Sequence, residues 1–93
     1  MSDMLNFDWD SEKAEINLRK HGITFEEACT TFRDPLATFA RDTKHGEIRH
    51  ILIGMSEFGR LLFTVHREEG DVIRIISSRR VTKREKRIYE EEQ

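Results

Sequence analysis

The feature that most constrains the fold is a change of hydrophobic periodicity near Asp34-Pro35. Before that point, apolar residues recur at the three- and four-residue spacing of amphipathic helices. After it, short apolar runs with polar alternation are separated by turn-forming residues, which is typical of β-strands. A chain of 93 residues has room for one hydrophobic core. We therefore expect a single domain over residues 1–93, with helices first and a sheet after them.

The first predicted helix covers residues 11–20. Asp10 is a suitable N-cap, because its carboxylate can accept hydrogen bonds from the free amides of the first turn. Gly22 can adopt the left-handed conformation that ends a helix. The pattern therefore bounds this helix on both sides.

A second helix is predicted over residues 25–32. Thr24 and Glu27 have the spacing of a capping box, in which each side chain bonds the backbone amide of the other residue. The helix should end before Asp34-Pro35, because the residue before a proline avoids the helical region.

Four strands and a last helix follow. The strands are predicted at residues 36–40, 47–55, 60–66 and 72–78, with turns at 42–46, 56–59 and 68–71. These turns are short and favour antiparallel neighbours, because a parallel crossover needs a dozen or more residues. Thr82 and Glu85 form another capping-box pair, which opens a helix toward Tyr89. The expected fold is α+β, with a four-stranded antiparallel sheet in the order α-α-β-β-β-β-α.

Composition excludes several classes of protein. Cys29 is the single cysteine, so a disulfide framework is excluded, and its place on the apolar side of the second helix predicts a packing residue. Apolar runs are too short for a membrane-spanning helix. The acidic start lacks the features of a signal peptide, so we expect a cytoplasmic protein without membrane contact.

Metal and cofactor motifs are also missing from the sequence. The histidines His21, His45, His50 and His66 are scattered, without the spacing of metal ligands. The glycines form no phosphate-binding loop. Residues 54–59 superficially resemble a serine-hydrolase elbow, but their spacing is wrong and they lie between two predicted strands. We expect neither a metal nor a cofactor.

The basic residues are concentrated near the end of the chain. The net charge is −2, yet one short segment carries Arg74, Arg79, Arg80, Lys83, Arg84, Lys86 and Arg87 against the single Glu85. Arg79 and Arg80 end the last predicted strand just before the free amides of the last helix, which is a suitable arrangement for binding phosphate. A solvated surface explains the same charges equally well.

Two residues of this segment have alternative explanations. Arg74 lies within an apolar strand, so it either pairs with an acid across the sheet or faces a cleft. Tyr89 either packs its ring on the sheet or points its hydroxyl into the same cleft.

The order and spacing of several sequence blocks resemble the BrnT family of toxins. The blocks are Phe7-Asp8-Trp9-Asp10, Lys13, Asn17, Lys20-His21-Gly22, Phe25, Glu26, Ala28, Phe32, Asp34-Pro35, Arg49, Ile53-Gly54, Gly59-Arg60-Leu61-Leu62, Ile73-Arg74-Ile75-Ile76-Ser77, Arg79-Arg80, Thr82, Glu85-Lys86-Arg87 and Tyr89-Glu90. Ser78 and Val81 stand where the family usually has alanine. The resemblance covers nearly the whole chain.

The resemblance implies a RelE-like ribonuclease fold and a toxin of a type II toxin–antitoxin system. It implies metal-independent RNA cleavage, in which a 2′-hydroxyl attacks the adjacent phosphate and translation and growth are inhibited. It also implies a hetero-oligomer with a BrnA-type antitoxin. That antitoxin carries a ribbon-helix-helix domain, through which the complex contacts and represses its own operon.

Such a reaction needs a base, positive charge on the phosphorane and an acid. For phosphate stabilisation we select Arg79 and Arg80, with Arg74 if it faces the cleft. His21 is the candidate base or acid, although it could equally cap the first helix at its carboxyl end. Tyr89 is a candidate proton donor or stacking platform for a base.

Lys13, Lys20 and Lys83 are further candidates for binding phosphate.

A second hypothesis is a non-catalytic or attenuated subunit that acts as a co-repressor with its antitoxin. Growth arrest on expression without the partner would separate the two hypotheses. The apolar residues Leu5, Phe7 and Trp9 either pack on the sheet or meet a partner, and the core is the expected place for them.

Overall fold

The computed structural model describes residues 5–43 and 46–92, so the predicted turn at 42–46 lies partly outside the described residues, as does His45. The elements in chain order are β1 (Asn6–Asp8), α1 (Ser11–His21), α2 (Phe25–Thr30), β2 (Thr38–Asp42), β3 (Arg49–Met55), β4 (Leu61–Glu69), β5 (Val72–Arg80) and α3 (Lys83–Glu91). One 3-10 turn, Thr31–Arg33, follows α2. No helix among the described residues combines the length and apolarity needed to cross a membrane.

The strands form one mixed sheet in the order β1-β5-β4-β3-β2. Strands β2 to β5 are the expected antiparallel meander. Strand β1 adds to it in parallel with β5, and Phe7 lies opposite Ile73. The α+β class is confirmed. The four-stranded antiparallel sheet and the order α-α-β-β-β-β-α are wrong, because three residues are too few to show a strand periodicity.

The helix ends follow local chemistry. The Asp10 carboxylate accepts from the amides of Glu12 and Lys13, and Gly22 has a φ of 71°. Thr82 and Glu85 form the complete capping box. Thr24 accepts from the Glu27 amide, as expected, but the Glu27 carboxylate is directed elsewhere and leaves that box incomplete.

The core lies between α2 and β5, where Phe25, Ala28 and Ile75 are buried. Phe7 and Trp9 pack against this core as expected, whereas Leu5 is 48% exposed. Cys29 also packs there, and burial raises the pKa of its thiol to about 12. The thiol therefore stays protonated at neutral pH, as a packing residue would.

A β-bulge in β5 determines which way its side chains point. His66 pairs with Ile75 but Val65 pairs with Ser77, which leaves Ile76 without a partner in β4. After the bulge, the hydroxyl of Ser78 is hydrogen bonded to that of Thr64, and both side chains lie on the buried face of the sheet. Successive side chains of a strand alternate, so Arg80 lies on the same face as Ser78, and Arg79 lies on the opposite face, over Phe63. The two adjacent arginines are thus divided between the two faces of the sheet.

Candidate nucleic-acid interface

A cleft of about 180 Å³ lies between α1 and the edge of β5. Its lining residues are Lys13, Ile16, Asn17, Lys20, His21, Ile76 and Ser77. Three of them, Lys13, Lys20 and His21, are site residues expected from the sequence. We refer to this feature as the α1–β5 cleft.

The cleft exists because β5 has only a short strand neighbour on this side. Strand β1 pairs with residues 72–74, and α1 lies beside the remaining edge. Asn17, which is buried, replaces the missing strand: its Nδ2 donates to the Ser78 carbonyl at 2.8 Å and its Oδ1 accepts from the Ser78 amide at 3.1 Å. The Nδ2 also donates to the carbonyl of Ile23 at 3.0 Å. The amide side chain therefore satisfies backbone groups that would otherwise lack partners.

Asn17 also determines which residues of α1 reach the cleft. Lys13 lies four residues before Asn17, Lys20 lies three residues after it and His21 four residues after it. All three therefore lie on the same side of the helix as Asn17. In the sequence, Asn17 is one of the positions that carry the resemblance to the BrnT family, and no role at the site was predicted for it. Its signal is a polar residue at an apolar phase of the helix, which indicates a buried hydrogen-bonding role.

The cleft is positively charged. Neither Lys13 nor Lys20 forms a salt bridge within the part of the chain that the structure describes, and both are exposed. His21 is half-buried and is the last residue of α1. It can therefore face both the cleft and the carboxyl end of the helix dipole, so both predicted roles remain compatible with its position.

Arg79 is not among the residues that line the cleft, and its side chain lies on the face of the sheet that carries Phe63. Its guanidinium stacks 4.2 Å from the ring centroid of Phe63. Its Nη1 and Nη2 donate to the two carboxylate oxygens of Glu85 at 2.8 and 2.9 Å. The Arg79 hydrogen bond is the main reason that the pKa of Glu85 is lowered. Arg79 thus fastens the first turn of α3 to the sheet.

Arg80 and α3 form a second basic area. Its residues are Arg80, Lys83, Arg84, Lys86 and Arg87, and we refer to it as the α3 basic surface. All five are exposed, and none of them forms a salt bridge with a described carboxylate. Helix α1 runs alongside β5 toward the same end, since Asn17 bonds Ser78 and His21 lies one further turn along. The carboxyl end of α1 therefore lies beside the end of β5, where the α3 basic surface starts.

Arg74 and Tyr89 also lie outside the cleft. Arg74 donates from Nη1 to Asp8 Oδ2 at 2.6 Å, which is the pairing across the sheet that the sequence left open. Tyr89 is 7% exposed, and its hydroxyl donates to Asp34 at 2.7 Å. Burial and this hydrogen bond raise the pKa of Tyr89 to about 12. At neutral pH the phenol is protonated and its proton is held by a carboxylate.

An ion pair between the buried Glu27 and the partly exposed Arg60 was missed by sequence reasoning. Glu27, which is 3% exposed, accepts from both Arg60 Nε, at 2.9 Å, and Arg60 Nη2, and also from Ser56 Oγ at 2.7 Å. The hydrogen bond from Arg60 is the main cause of the lowered pKa of Glu27. A glutamate between the buried residues Phe25 and Ala28 was the available signal. The pair fastens α2 to the turn between β3 and β4.

The histidines in the sheet do not form a metal site. His50 and His66 stack with ring centroids 5.6 Å apart, and burial lowers the pKa of His66 to about 4. Across residues 5–43 and 46–92, no three side chains of His, Cys, Asp and Glu converge as metal ligands would.

Comparison with known proteins identifies the family. A family model described as "Ribonuclease toxin, BrnT, of type II toxin-antitoxin system" matches residues 9–85. The crystal structure of the Brucella abortus ribonuclease toxin, BrnT, superposes with a TM-score of 0.69 at 19% identity, and the match covers 86% of this chain and 100% of that one. No curated protein sequence gives a significant match. The chain belongs to the BrnT family of ribonuclease toxins of type II toxin–antitoxin systems, in which the toxin has an antitoxin partner.

Proposed function

We propose that this chain is an endoribonuclease that binds RNA in the α1–β5 cleft. The observation that carries the proposal is the convergence of Lys13, Lys20 and His21 on one cleft. The α3 basic surface, which starts where β5 ends, offers further positive charge along the proposed path of the nucleic-acid backbone. Membership of the family supplies the class of reaction.

The proposed reaction is attack of a 2′-hydroxyl on the adjacent phosphate. A base removes the hydroxyl proton, the P–O bond to the 5′-oxygen of the next nucleotide breaks, and an acid protonates that oxygen. Histidine is the side chain that most often acts as a general acid or base in enzymes, so we assign one of these two proton transfers to His21. Lys13 and Lys20 bind the phosphates. To Arg80, which ends β5 just beyond the cleft lining, we assign stabilisation of the charge that develops on the phosphorane, so the proposed step needs no metal ion.

The other predicted site residues receive different roles in this proposal. Arg79 and Tyr89 already have carboxylate partners, Glu85 and Asp34, so we assign them to holding α3 in position. Lys83, which begins α3, contacts RNA on the α3 basic surface. Arg74, paired with Asp8, holds β1 to the sheet.

We further propose that the antitoxin is of the BrnA type and carries a ribbon-helix-helix domain. The toxin would then contact operator DNA only through that partner, in a hetero-oligomer that represses its own operon. Its action as a toxin, inhibiting translation and growth, takes place in the cytoplasm, where its RNA substrates are.

The test is cleavage of a defined single-stranded RNA by the purified chain in excess EDTA. We expect fragments that end in a 2′,3′-cyclic phosphate and begin with a 5′-hydroxyl. The same RNA with 2′-deoxyribose at the cleaved nucleotide should stay intact. Intact RNA with a folded chain would contradict the proposal and favour the co-repressor hypothesis, whereas 5′-phosphate products would contradict the 2′-hydroxyl mechanism.

His21 is tested in the same assay. His21→Gln keeps a polar side chain but cannot transfer a proton near neutrality. We expect kcat to fall by at least about a hundredfold, the usual contribution of general acid–base catalysis, with little change in KM. Unchanged kcat would assign His21 to the helix end instead.

A further inference from the structure

Helix α1 leaves apolar side chains exposed on two flanks. Its one buried side chain is the polar Asn17, whereas Ile16 is 51% and Leu18 is 44% exposed. Helices in proteins are normally stabilised by packing an apolar face. Ile16 lines the α1–β5 cleft, and Leu18 lies on the other flank, toward α2. On the Leu18 flank, Ala14 packs against the core, and nearly half of the Leu18 side chain stays exposed.

This flank forms a groove of about 200 Å³ between α1 and α2. Its apolar lining consists of Trp9, Ala14, Leu18 and Phe25. The rings of Trp9 and Phe25 are packed edge to face with centroids 5.9 Å apart, and Phe25 is fully buried. The lining is therefore anchored in the core and already shaped to receive an apolar side chain. We refer to this feature as the α1–α2 groove.

The rim of the α1–α2 groove is acidic. Glu15 and Glu26 line it, both are exposed, and neither forms a salt bridge with any described residue. Their charges repel RNA phosphates and attract lysine or arginine. Helix α1 thus presents lysines on one flank and a carboxylate with apolar surface on the other. The complementary occupant is a protein segment with an apolar side chain flanked by basic residues.

We propose that the α1–α2 groove binds the antitoxin through such a segment. The proposal rests on the ribonuclease function above and on the antitoxin that type II membership implies. Because the two features lie on opposite flanks of one helix, about 10 Å wide, the antitoxin can dock without touching the cleft residues. It would then inhibit the toxin by its bulk beside the cleft.

The test compares two aspartate substitutions on α1 in their binding of a purified BrnA-type antitoxin. Leu18→Asp places a charge in the α1–α2 groove, and Ile16→Asp places the same charge in the cleft. Both side chains are about half exposed, so both variants should fold. We expect Leu18→Asp to weaken antitoxin binding by at least about tenfold while RNA cleavage is kept. Ile16→Asp should weaken RNA cleavage while antitoxin binding is kept.

The charges are tested by Glu15→Lys combined with Glu26→Lys. This variant should also weaken antitoxin binding, and its deficit should shrink as salt is added, because the two carboxylates are exposed. Equal loss at low and high salt would contradict charge complementarity.

Three results would overturn the proposal. One is that Leu18→Asp binds the antitoxin as tightly as the wild type does. Another is loss of antitoxin binding on Ile16→Asp alone, which would place the antitoxin in the cleft. The last is self-association of the wild type that Leu18→Asp abolishes, which would make a second copy the occupant. If the wild type cleaves no RNA but Leu18→Asp still loses the antitoxin, the docking surface stands and only the ribonuclease proposal fails.

Discussion

Asn17 is the residue on which the geometry of the cleft depends. Its amide donates to two backbone carbonyls and accepts from one backbone amide, all without solvent. A sequence pattern can mark a polar residue at a buried phase, but it cannot identify Ser78, sixty-one positions away, as the partner. That partner follows from the parallel addition of β1, which stops short of Ser78 and leaves the edge of β5 open.

Asn17→Asp should destabilise the fold by about 2–4 kcal/mol, because a carboxylate would face two carbonyl oxygens and lose both donors. The free energy of unfolding in urea measures this. Asn6→Asp, at an exposed position of β1, makes the same chemical change and should alter stability by less than about 0.5 kcal/mol. Equal effects of the two substitutions would contradict the role assigned to Asn17.

His66 should make stability depend on pH. Burial lowers its pKa from 6.5 to about 4 in the folded chain. Between those values the unfolded chain binds a proton that the folded chain does not, so stability falls as pH decreases through this range. The full loss is about 3 kcal/mol. His66→Phe keeps an aromatic ring against Phe32. We expect its free energy of unfolding to depend less on pH than that of the wild type between pH 7 and about 4.5, the range in which carboxylates contribute little. Parallel profiles of the two proteins would contradict this.

At the scale of elements, local signals were readable and long-range pairing was not. The caps at Asp10, Gly22 and Thr82 depend on neighbouring residues, and the structure has all three. Strand β1 depends instead on β5, at the other end of the chain, and it has too few residues to show alternation. The bulge at Ile76 likewise depends on how β4 and β5 fit together. The faces of Arg79 and Arg80 follow from it, so their different environments could not be read from the sequence.

Helix α3 should depend on Arg79 for its position. Glu85 takes part both in the capping box and in the paired hydrogen bonds from Arg79. Arg79→Met keeps apolar bulk over Phe63 but removes the donors, and we expect a loss of about 1–2 kcal/mol because the pair is partly exposed. Faster amide exchange confined to α3 would accompany it. Arg80→Gln is the matched control and should leave exchange in α3 unchanged while weakening RNA cleavage. An unchanged rate of amide exchange in α3 of Arg79→Met would contradict the role of Arg79 in holding α3 to the sheet.

At the scale of the molecule, a nearly neutral chain separates its charges. Residues 1–47 carry ten acidic and six basic side chains, whereas residues 48–93 carry eight acidic and ten basic side chains. Lys13 and Lys20 belong to the acidic half of the sequence, but α1 places them beside β5, in the basic half. The last residue of β5 is also the first residue of the α3 basic surface. Sequence reasoning selected these lysines and His21, but it grouped them with Arg79, Arg74 and Tyr89. The structure separates the two groups, since side-chain partners and sheet faces are properties of the folded chain.

If RNA is bound and cleaved in the α1–β5 cleft, a cation that lines the cleft should matter more than a neighbouring cation outside it. Arg19 and Lys20 are adjacent, exposed cations of α1, and only Lys20 lines the cleft. Lys20→Gln and Arg19→Gln change the net charge equally, so long-range attraction of RNA is matched. The deciding measurement is kcat/KM for cleavage of one defined RNA in EDTA. We expect a loss of about tenfold for Lys20→Gln, the equivalent of one charge-assisted hydrogen bond, and less than about twofold for Arg19→Gln. Equal losses, or none in Lys20→Gln, would contradict the assignment of the cleft.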